Sequence, residues 1–295
     1  MSASANLRPI TRPARSLHEL RRIIISQIGW IACGLALLGV IGPLVDIVGV
    51  VAYHGLAAFS GKLFTATSNG VAGGLLNAIE GTFVISLFGM LIAVPVGVGA
   101  GIYLSEYGSN RVGAVIRFLA DVLTGTPSIV LGYFSYIVFV TSLGWGFSLL
   151  AAAITLAILI VPYLARITEM ALRQVPVTMR EAAFALGATE PTVVFKVVLP
   201  GAASGVVTGV LLALAISVGE TAPLIYTAGW SNFLWNGHFM HEPVGYLTYV
   251  IWTFIEQPNA QSHALAYAAA LLVMLVVLAI NIGVRLVLRR STHVV

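Results

Sequence analysis

The sequence predicts an all-α membrane protein of six transmembrane helices, and three observations carry that prediction. Of 295 residues, 59% are apolar and only 9% charged. The mean hydropathy of +0.98 lies outside the range of a soluble domain of this length. The apolar residues gather into six runs, the length scale being the ~30 Å of a bilayer's hydrocarbon core. The basic residues are also one-sided: of fifteen, only Lys62 falls in a loop on one face. The other fourteen lie in the N-terminal tail, in 105–117, in 166–196 or at the C-terminal end. By the positive-inside rule both termini are then cytoplasmic. The pI near 9.4 follows from topology, and no nucleic-acid partner is expected.

Residues 1–25 form a polar cytoplasmic tail, 26–290 a six-span domain and 291–295 a second short tail. Arg21-Arg22 resembles the start of a signal peptide, but the apolar run behind it reaches Val51 without a small-residue cleavage site, so it reads as an uncleaved first span, 26–51. Asp46 belongs near the interface, because a carboxylate at the bilayer centre costs about 2.5–3.5 kcal/mol. The single Cys33 can build neither a disulfide framework nor a thiolate metal site.

After a Gly/Ser/Thr-rich loop, the second span covers 79–104. Its Gly97 and Gly101 read as a close helix-packing face, since the glycine spacing is wrong for a dinucleotide site. An amphipathic segment with Arg111, Arg117 and Asp121 ends in Thr124-Gly125-Thr126-Pro127-Ser128. There a helix restarts, with Thr126 as cap and Pro127 at its first position, and the third span runs to Thr141. A Gly144-Trp145-Gly146 turn leads to the fourth span, 147–167. The fifth, 201–225, contains Ser217 to Leu224 as its only strongly polar patch. In the outer loop 228–263, the stretch 244–255 is too short to cross and reads as an interfacial or re-entrant helix anchored by Tyr246, Tyr249 and Trp252. The sixth span, 264–284, is followed by Arg285, Arg289 and Arg290.

Between spans four and five lies a polar island, 176–200. Thr178 with Glu181 has the spacing of a capping box, Gly187 is placed to end the helix in the left-handed conformation, and Thr189, Glu190 and Pro191 start another. Met179, Ala182, Ala183 and Leu186 give the first helix a small-residue apolar stripe. A helix this short is not stable alone, so it has to dock on a partner surface.

Glu181-Ala182-Ala183, Gly187, Val197 and Leu199-Pro200 resemble, at every spacing, the Glu-Ala-Ala loop of the membrane subunits of bacterial ABC importers. The resemblance implies the type I importer (MetI-like) permease fold. It also implies an ATPase-coupling role for Glu181, Ala182, Ala183, Gly187, Leu199 and Pro200. Leu123 to Gly132, Ile102 to Tyr107, and Gly219-Glu220-Thr221-Ala222-Pro223-Leu224 are similar to the phosphate-importer permeases of PstA type. That family implies a PstC-type permease partner, two PstB-type ATPase subunits that carry ATP and Mg, and a PstS-type phosphate-binding protein outside. The location implied is the plasma (inner) membrane of a bacterium. The chain departs from the pattern at Ile216, where many members carry Arg three residues before the glycine, so it offers no intramembrane cation there.

None of the six predicted spans has a Lys or Arg near its middle, and a helix N-terminus at Gly125, Thr126, Pro127 and Ser128 can substitute for a cation in holding an anion. Gly219, Glu220 and Thr221 complete the candidate pathway or subunit interface. The Glu220 carboxylate repels phosphate, and is expected to pair with an Arg of the partner subunit or to bond within the bundle. No catalytic residue, metal site or bound cofactor is expected of this chain. His238, His241 and Glu242 lack the zinc-protease spacing, and no Gly-rich Lys-Ser/Thr loop exists to hydrolyse ATP. The competing readings are an importer permease for phosphonate, molybdate or an organic solute, and an ATPase-independent secondary transporter or intramembrane enzyme.

Overall fold

In a bilayer every backbone N–H and C=O has to be bonded within its own segment. The computed structural model of the chain describes residues 17–70 and 72–291 and is helical through each apolar run. The expectations for residues 1–16 of the N-terminal tail and 292–295 of the C-terminal tail lie outside the described residues. The chain divides into two compact units, Met1–Val50 and Val51–Val295. The first holds most of α1 (Leu17–Ala58), which is apolar around its whole circumference, as suits a helix solvated by lipid.

The second unit holds the end of α1, then α2 (Lys62–Thr65), α3 (Leu76–Glu106), α4 (Arg111–Gly125) and α5 (Ser128–Ser135), which continues as a π-helical stretch, Tyr136–Ser142. Next come α6 (Leu149–Arg173), α7 (Val177–Ala185) and α8 (Glu190–Val193), with a π turn, Val194–Val198, leading into α9 (Leu199–Gly201). The chain closes with α10 (Ala203–Gly219), α11 (Ala222–Thr227), α12 (Leu247–Phe254) and α13 (Ala260–Ser291). Four helices among the described residues, α1, α3, α6 and α13, are each long and apolar enough to cross a membrane. Two bent pairs bring the number to six: α4 with α5, at 100°, and α8–α9 with α10, at 67°.

The third span restarts after Thr126 as expected, over Ser128–Ser142, while α4 before it lies antiparallel along α6, as Arg117 paired with Glu169 and Arg166 with Asp121 show, and α5 then turns away. Pro127, not Thr126, is the N-cap of α5, while Thr126 caps the end of α4 and donates its hydroxyl to the Val122 carbonyl at 2.8 Å. The fifth stops at Gly219, and Glu220 and Thr221 leave the helix before α11 begins. At Pro127 the proline has no N–H for the carbonyl four residues back and holds Thr126 out of the helical region, whereas the other break comes ahead of Pro223, at Glu220 and Thr221.

The core forms where α3 and α6 run against each other. Gly89, Gly97 and Gly101 on α3 let the backbones approach: a Cβ on Gly97 would lie 2.6 Å from the Leu164 Cβ and 3.1 Å from the Val161 carbonyl. Leu156, Ile160 and Leu164 of α6 are buried with Ile85 and Ala93 of α3. The predicted glycine face is the contact that centres the unit. At the start of α6, the Ser148 hydroxyl accepts from the Ala151 N–H at 3.4 Å, and the Phe239 carbonyl takes the Leu150 N–H at 2.9 Å, so the outer loop satisfies a buried helix end. Gly144 and Gly146 make the expected turn, both at positive φ.

The 244–255 stretch also differs from its reading. Its helix, α12, packs on α13 and α3, with Tyr246 1% exposed in the core and Tyr249 stacked 4.7 Å from Trp230. Only Trp252 of the three expected anchors faces outward, at 57%. Close approach permits this: Gly81 leaves room for the Gly245 carbonyl, and the Leu247 N–H donates to the Thr82 hydroxyl at 2.8 Å.

Gly97→Ala forces a Cβ onto backbone and Cβ atoms that cannot swing aside, and is expected to cost about 1–3 kcal/mol. Gly99→Ala meets nothing within 4 Å and serves as the control. Thermal midpoints in detergent check this, and equal midpoints for the two variants would remove the glycine contact from its central place.

Candidate functional site

Two regions contain the residues singled out in the sequence. The first is the 176–200 island. Helix α7 starts one residue before the expected capping box, with Pro176 as N-cap at φ −55° and ψ 137° and no side-chain cap. Thr178 is then already inside the helix, so its hydroxyl is not placed to cap. The other end is as read. Gly187 has φ +80°, its N–H donates to the Phe184 carbonyl at 2.9 Å, and the Ala188 N–H reaches back to Ala183 at 3.1 Å. That pair of bonds is the Schellman ending, which needs the left-handed residue. Thr189 is the N-cap of α8 by position, although its hydroxyl bonds Thr192 and not the backbone.

One small side chain, Ala183, turns inward onto a cluster of Leu172, Val175, Val193, Val198 and Ala202, with Leu199 beside it. Glu181, Ala182 and Pro200 face outward, as do Met179 and the 89%-exposed Leu186. Arg180 fixes α7 to the bundle. It forms an ion pair with Glu106 at the end of α3 and donates to the Leu172 carbonyl at 2.9 Å.

Close by is a residue the sequence reading passed over. Glu169, 3% exposed, accepts from Arg117 at 2.7 Å, Arg173 at 2.8 Å and Arg166 at 3.0 Å. Arg166 also holds Asp121 at 3.0 Å, and Arg117 donates to the carbonyls of Gly108 and Leu104, at 2.8 and 2.6 Å. Three arginines around one buried carboxylate join α3, α4 and α6 at the same end as α7. The signal was available: Glu169 stands between Arg166 and Arg173, three and four residues away, in a helix that is otherwise apolar.

The second region lies where the two broken helices meet. Gly132 of α5 lies against Pro223 of α11, and a Cβ there would come within 3.2 Å of the Pro223 Cβ. Beneath this contact is a cavity of about 210 Å³ lined by Thr124, Thr126, Ser128, Tyr163, Ile216 and Glu220 together with Leu123, Leu159 and Ile160. The structure thus brings together Thr126, Ser128 and Glu220, which come from separate motifs. Gly125, Pro127, Gly219 and Thr221 form the breaks themselves and do not line the space. The Thr248 hydroxyl holds the freed Glu220 carbonyl at 2.7 Å.

The chemistry of the cavity follows from which hydroxyls are engaged. Thr124 and Thr126 donate back to their own helix, to Ala120 and Val122, each at 2.8 Å. The hydroxyls of Ser128 and Tyr163 and the first N–H groups of α5 are left as donors. The same lining includes Glu220, whose carboxylate has no ion pair among the described residues. Ile216, at the position where a cation was absent from the motif, lines the same cavity.

The outer loop's His238 and Glu242 pair with each other at 3.0 Å, and this hydrogen bond holds the Glu242 carboxyl below its usual range. His241 points elsewhere, with φ 64° and its N–H on the Trp145 carbonyl. Among the described residues no group of three His, Cys, Asp or Glu side chains is arranged to hold a metal.

Residues 93–293 match the family described as "Binding-protein-dependent transport system inner membrane component". The chain is 45% identical over 284 residues to "Phosphate transport system permease protein PstA 2" of Mycobacterium bovis, covering 96% of this chain and 94% of that one. It is 44% identical over 240 residues to "Phosphate transport system permease protein PstA" of Haemophilus influenzae, 79% and 82% of the two chains. Among solved structures, an inward-facing MetNI methionine ABC transporter aligns over 72% of this chain and 94% of its own, with a TM-score of 0.53 and 25% identity.

Glu169→Gln leaves three guanidiniums without their shared carboxylate. Breaking a fully buried pair costs about 3–5 kcal/mol, and the water reaching the partly exposed arginines lowers the expected loss to about 2–3 kcal/mol. The expected outcome is a lower thermal midpoint with faster proteolysis at the α3–α4 turn; an unchanged midpoint would show that the three arginines do not depend on this carboxylate.

Proposed function

The chain belongs to the binding-protein-dependent transport system inner membrane components, and among them to the PstA-type phosphate transport permeases, and from that premise we propose that it forms, with a PstC-type subunit, the membrane pathway of an ATP-driven phosphate importer. The observation that carries the reading is the meeting of the two broken helices at one cavity, whose lining holds both uncommitted hydroxyl donors and Glu220. A phosphate entering it exchanges water for the donors of Ser128, Tyr163 and the α5 N-terminus. Glu220 opposes the anion unless a cation balances it, and the second permease subunit supplies that cation. The partner set is completed by two PstB-type ATPases holding ATP and Mg and a PstS-type binding protein on the outer face. Both termini and α7 lie on the cytoplasmic side of the bacterial inner membrane, where the arginines concentrate.

Coupling follows from the joints around α7. Its outward stripe, Met179, Ala182 and Leu186, seats in a cleft of the ATPase. Displacement of α7 by nucleotide-driven closure passes through Arg180–Glu106 to α3, through Arg117–Glu169 to α4 and α6, and through Leu199–Pro200 to α10. Helices α4 and α10 are the ones that end at the cavity. The ATPase stroke therefore reaches the two breaks as a shift of rigid helices.

In reconstituted vesicles the complex is expected to take up labelled phosphate with ATP inside, and phosphonate and molybdate to compete weakly; failure of excess phosphate to compete would remove the substrate assignment. Gly187→Val adds about 1–2 kcal/mol of left-handed strain to the α7 ending. Uptake and stimulated ATP hydrolysis should then fall together while insertion survives, and normal uptake would exclude the coupling role. Glu220→Gln leaves the partner's cation uncompensated and should lower subunit retention or maximal rate. Intact assembly with tighter half-saturation would instead make Glu220 a direct contact of the anion.

A further inference from the structure

Between α3, α4 and α6 lies a groove of about 420 Å³ whose lining is apolar throughout, including Val96 and Ala100 of α3, Ile116 and Leu119 of α4, and Ile154 and Ala165 of α6. Along α6 it runs from Ile154 to Ala165, about 16 Å at the helical rise, which is half the ~30 Å hydrocarbon core and so one leaflet. One end is closed by the cluster around Glu169, a turn beyond Ala165.

The charge at the closed end selects the occupant further. Arg117, Arg166 and Arg173 stand against Glu169 and Asp121, which leaves one positive charge over. Arg117 is committed on all sides, but Arg173 is 57% exposed with one nitrogen on Glu169, and the exposed Arg111 has no ion pair among the described residues. An apolar slot one leaflet deep, ending beside guanidiniums with spare donors, suits a lipid whose head group carries a negative charge. We propose that this groove binds one acyl chain of an anionic phospholipid, with the phosphate held by Arg111 and Arg173. The lipid then bears on the joint between α4 and α6 through which the cavity is moved. The binding itself rests only on the chain spanning a bilayer, and not on which solute is transported.

The test is native mass spectrometry of the full chain, purified with its co-expressed transporter subunits from nanodiscs of phosphatidylglycerol or of phosphatidylcholine. Wild type is expected to retain phosphatidylglycerol in preference to phosphatidylcholine. Val96→Trp or Ala100→Phe, which fill the groove at partly exposed positions, should lose the retained lipid, and two variants guard against misfolding of either. Arg111→Gln should keep a lipid but lower the preference for the anionic one about fivefold. A wild type with no retained lipid or no preference, or filled variants that keep as much lipid as wild type, would overturn the proposal. So would filled variants that lose a permease subunit at unchanged lipid count, which would make the groove a protein interface.

Discussion

A proline inside an apolar helix leaves a carbonyl without its N–H, and in a membrane that carbonyl has no water to turn to. Much of the candidate site depends on how Pro127 and Pro223 resolve this. At Pro127 the chain turns by 100°, with Gly125 and two threonines that bond back onto α4. At Pro223 the helix has already ended at Gly219, and Thr248 takes the Glu220 carbonyl. The two breaks lie together because Gly132 lets α5 come onto the backbone of Pro223. Pro95 and Pro162 sit inside α3 and α6 without ending them. The glycine and hydroxyl residues around Pro127 and Pro223 are therefore part of what makes a break there, and not the proline alone.

The remaining electrostatics are gathered at one end, where they act as joints. Glu169 and Glu106 each hold one arginine arriving from a different helix, so α3, α4, α6 and α7 are tied near their ends while α3 and α6 meet in their middles through apolar and glycine contacts. Partial exposure of the arginines keeps the individual pairs modest in strength, and the shared carboxylate makes the set cooperative. Among the described residues the cavity has no comparable tie, only the Thr248 bond and the α5–α11 contact.

The helices themselves were legible because apolar runs and glycine spacing report directly on lipid and on packing. Gly97 and Gly101 could be assigned to a close contact from spacing alone, and Gly187 to a left-handed ending from its place after the stripe. The breaks were legible only at Pro127, where Thr-Gly-Thr-Pro announces a restart. At Glu220 the same logic was present, yet the surrounding apolar length read as one span. Tyr246 and the capping box at Thr178 failed for a common reason: local pattern cannot show what the rest of the chain brings alongside. A tyrosine in a short amphipathic run reads as interfacial until Trp230, α13 and Gly81 are seen around it. Thr178 was a sound cap by spacing, but Pro176 already sets the helix boundary.

Glu169 shows the limit in the other direction. Its neighbours Arg166 and Arg173 are close in sequence, but Arg117 is 52 residues away and is the partner that makes the carboxylate a hub. The same holds at the cavity, where Thr126 and Ser128 come into one lining with Glu220 although the contact between their helices is made by two other residues, Gly132 and Pro223. With Ile216 in the wall and both threonines bonded to their own helix, the described residues offer phosphate only neutral donors and one opposing carboxylate. Neutral donors can replace the water an anion loses, but they cannot offset a negative charge lining the same space. A pathway for phosphate at this cavity would therefore call for a cation from outside the described residues, and that is the electrostatic reason for proposing a second permease subunit beside this one.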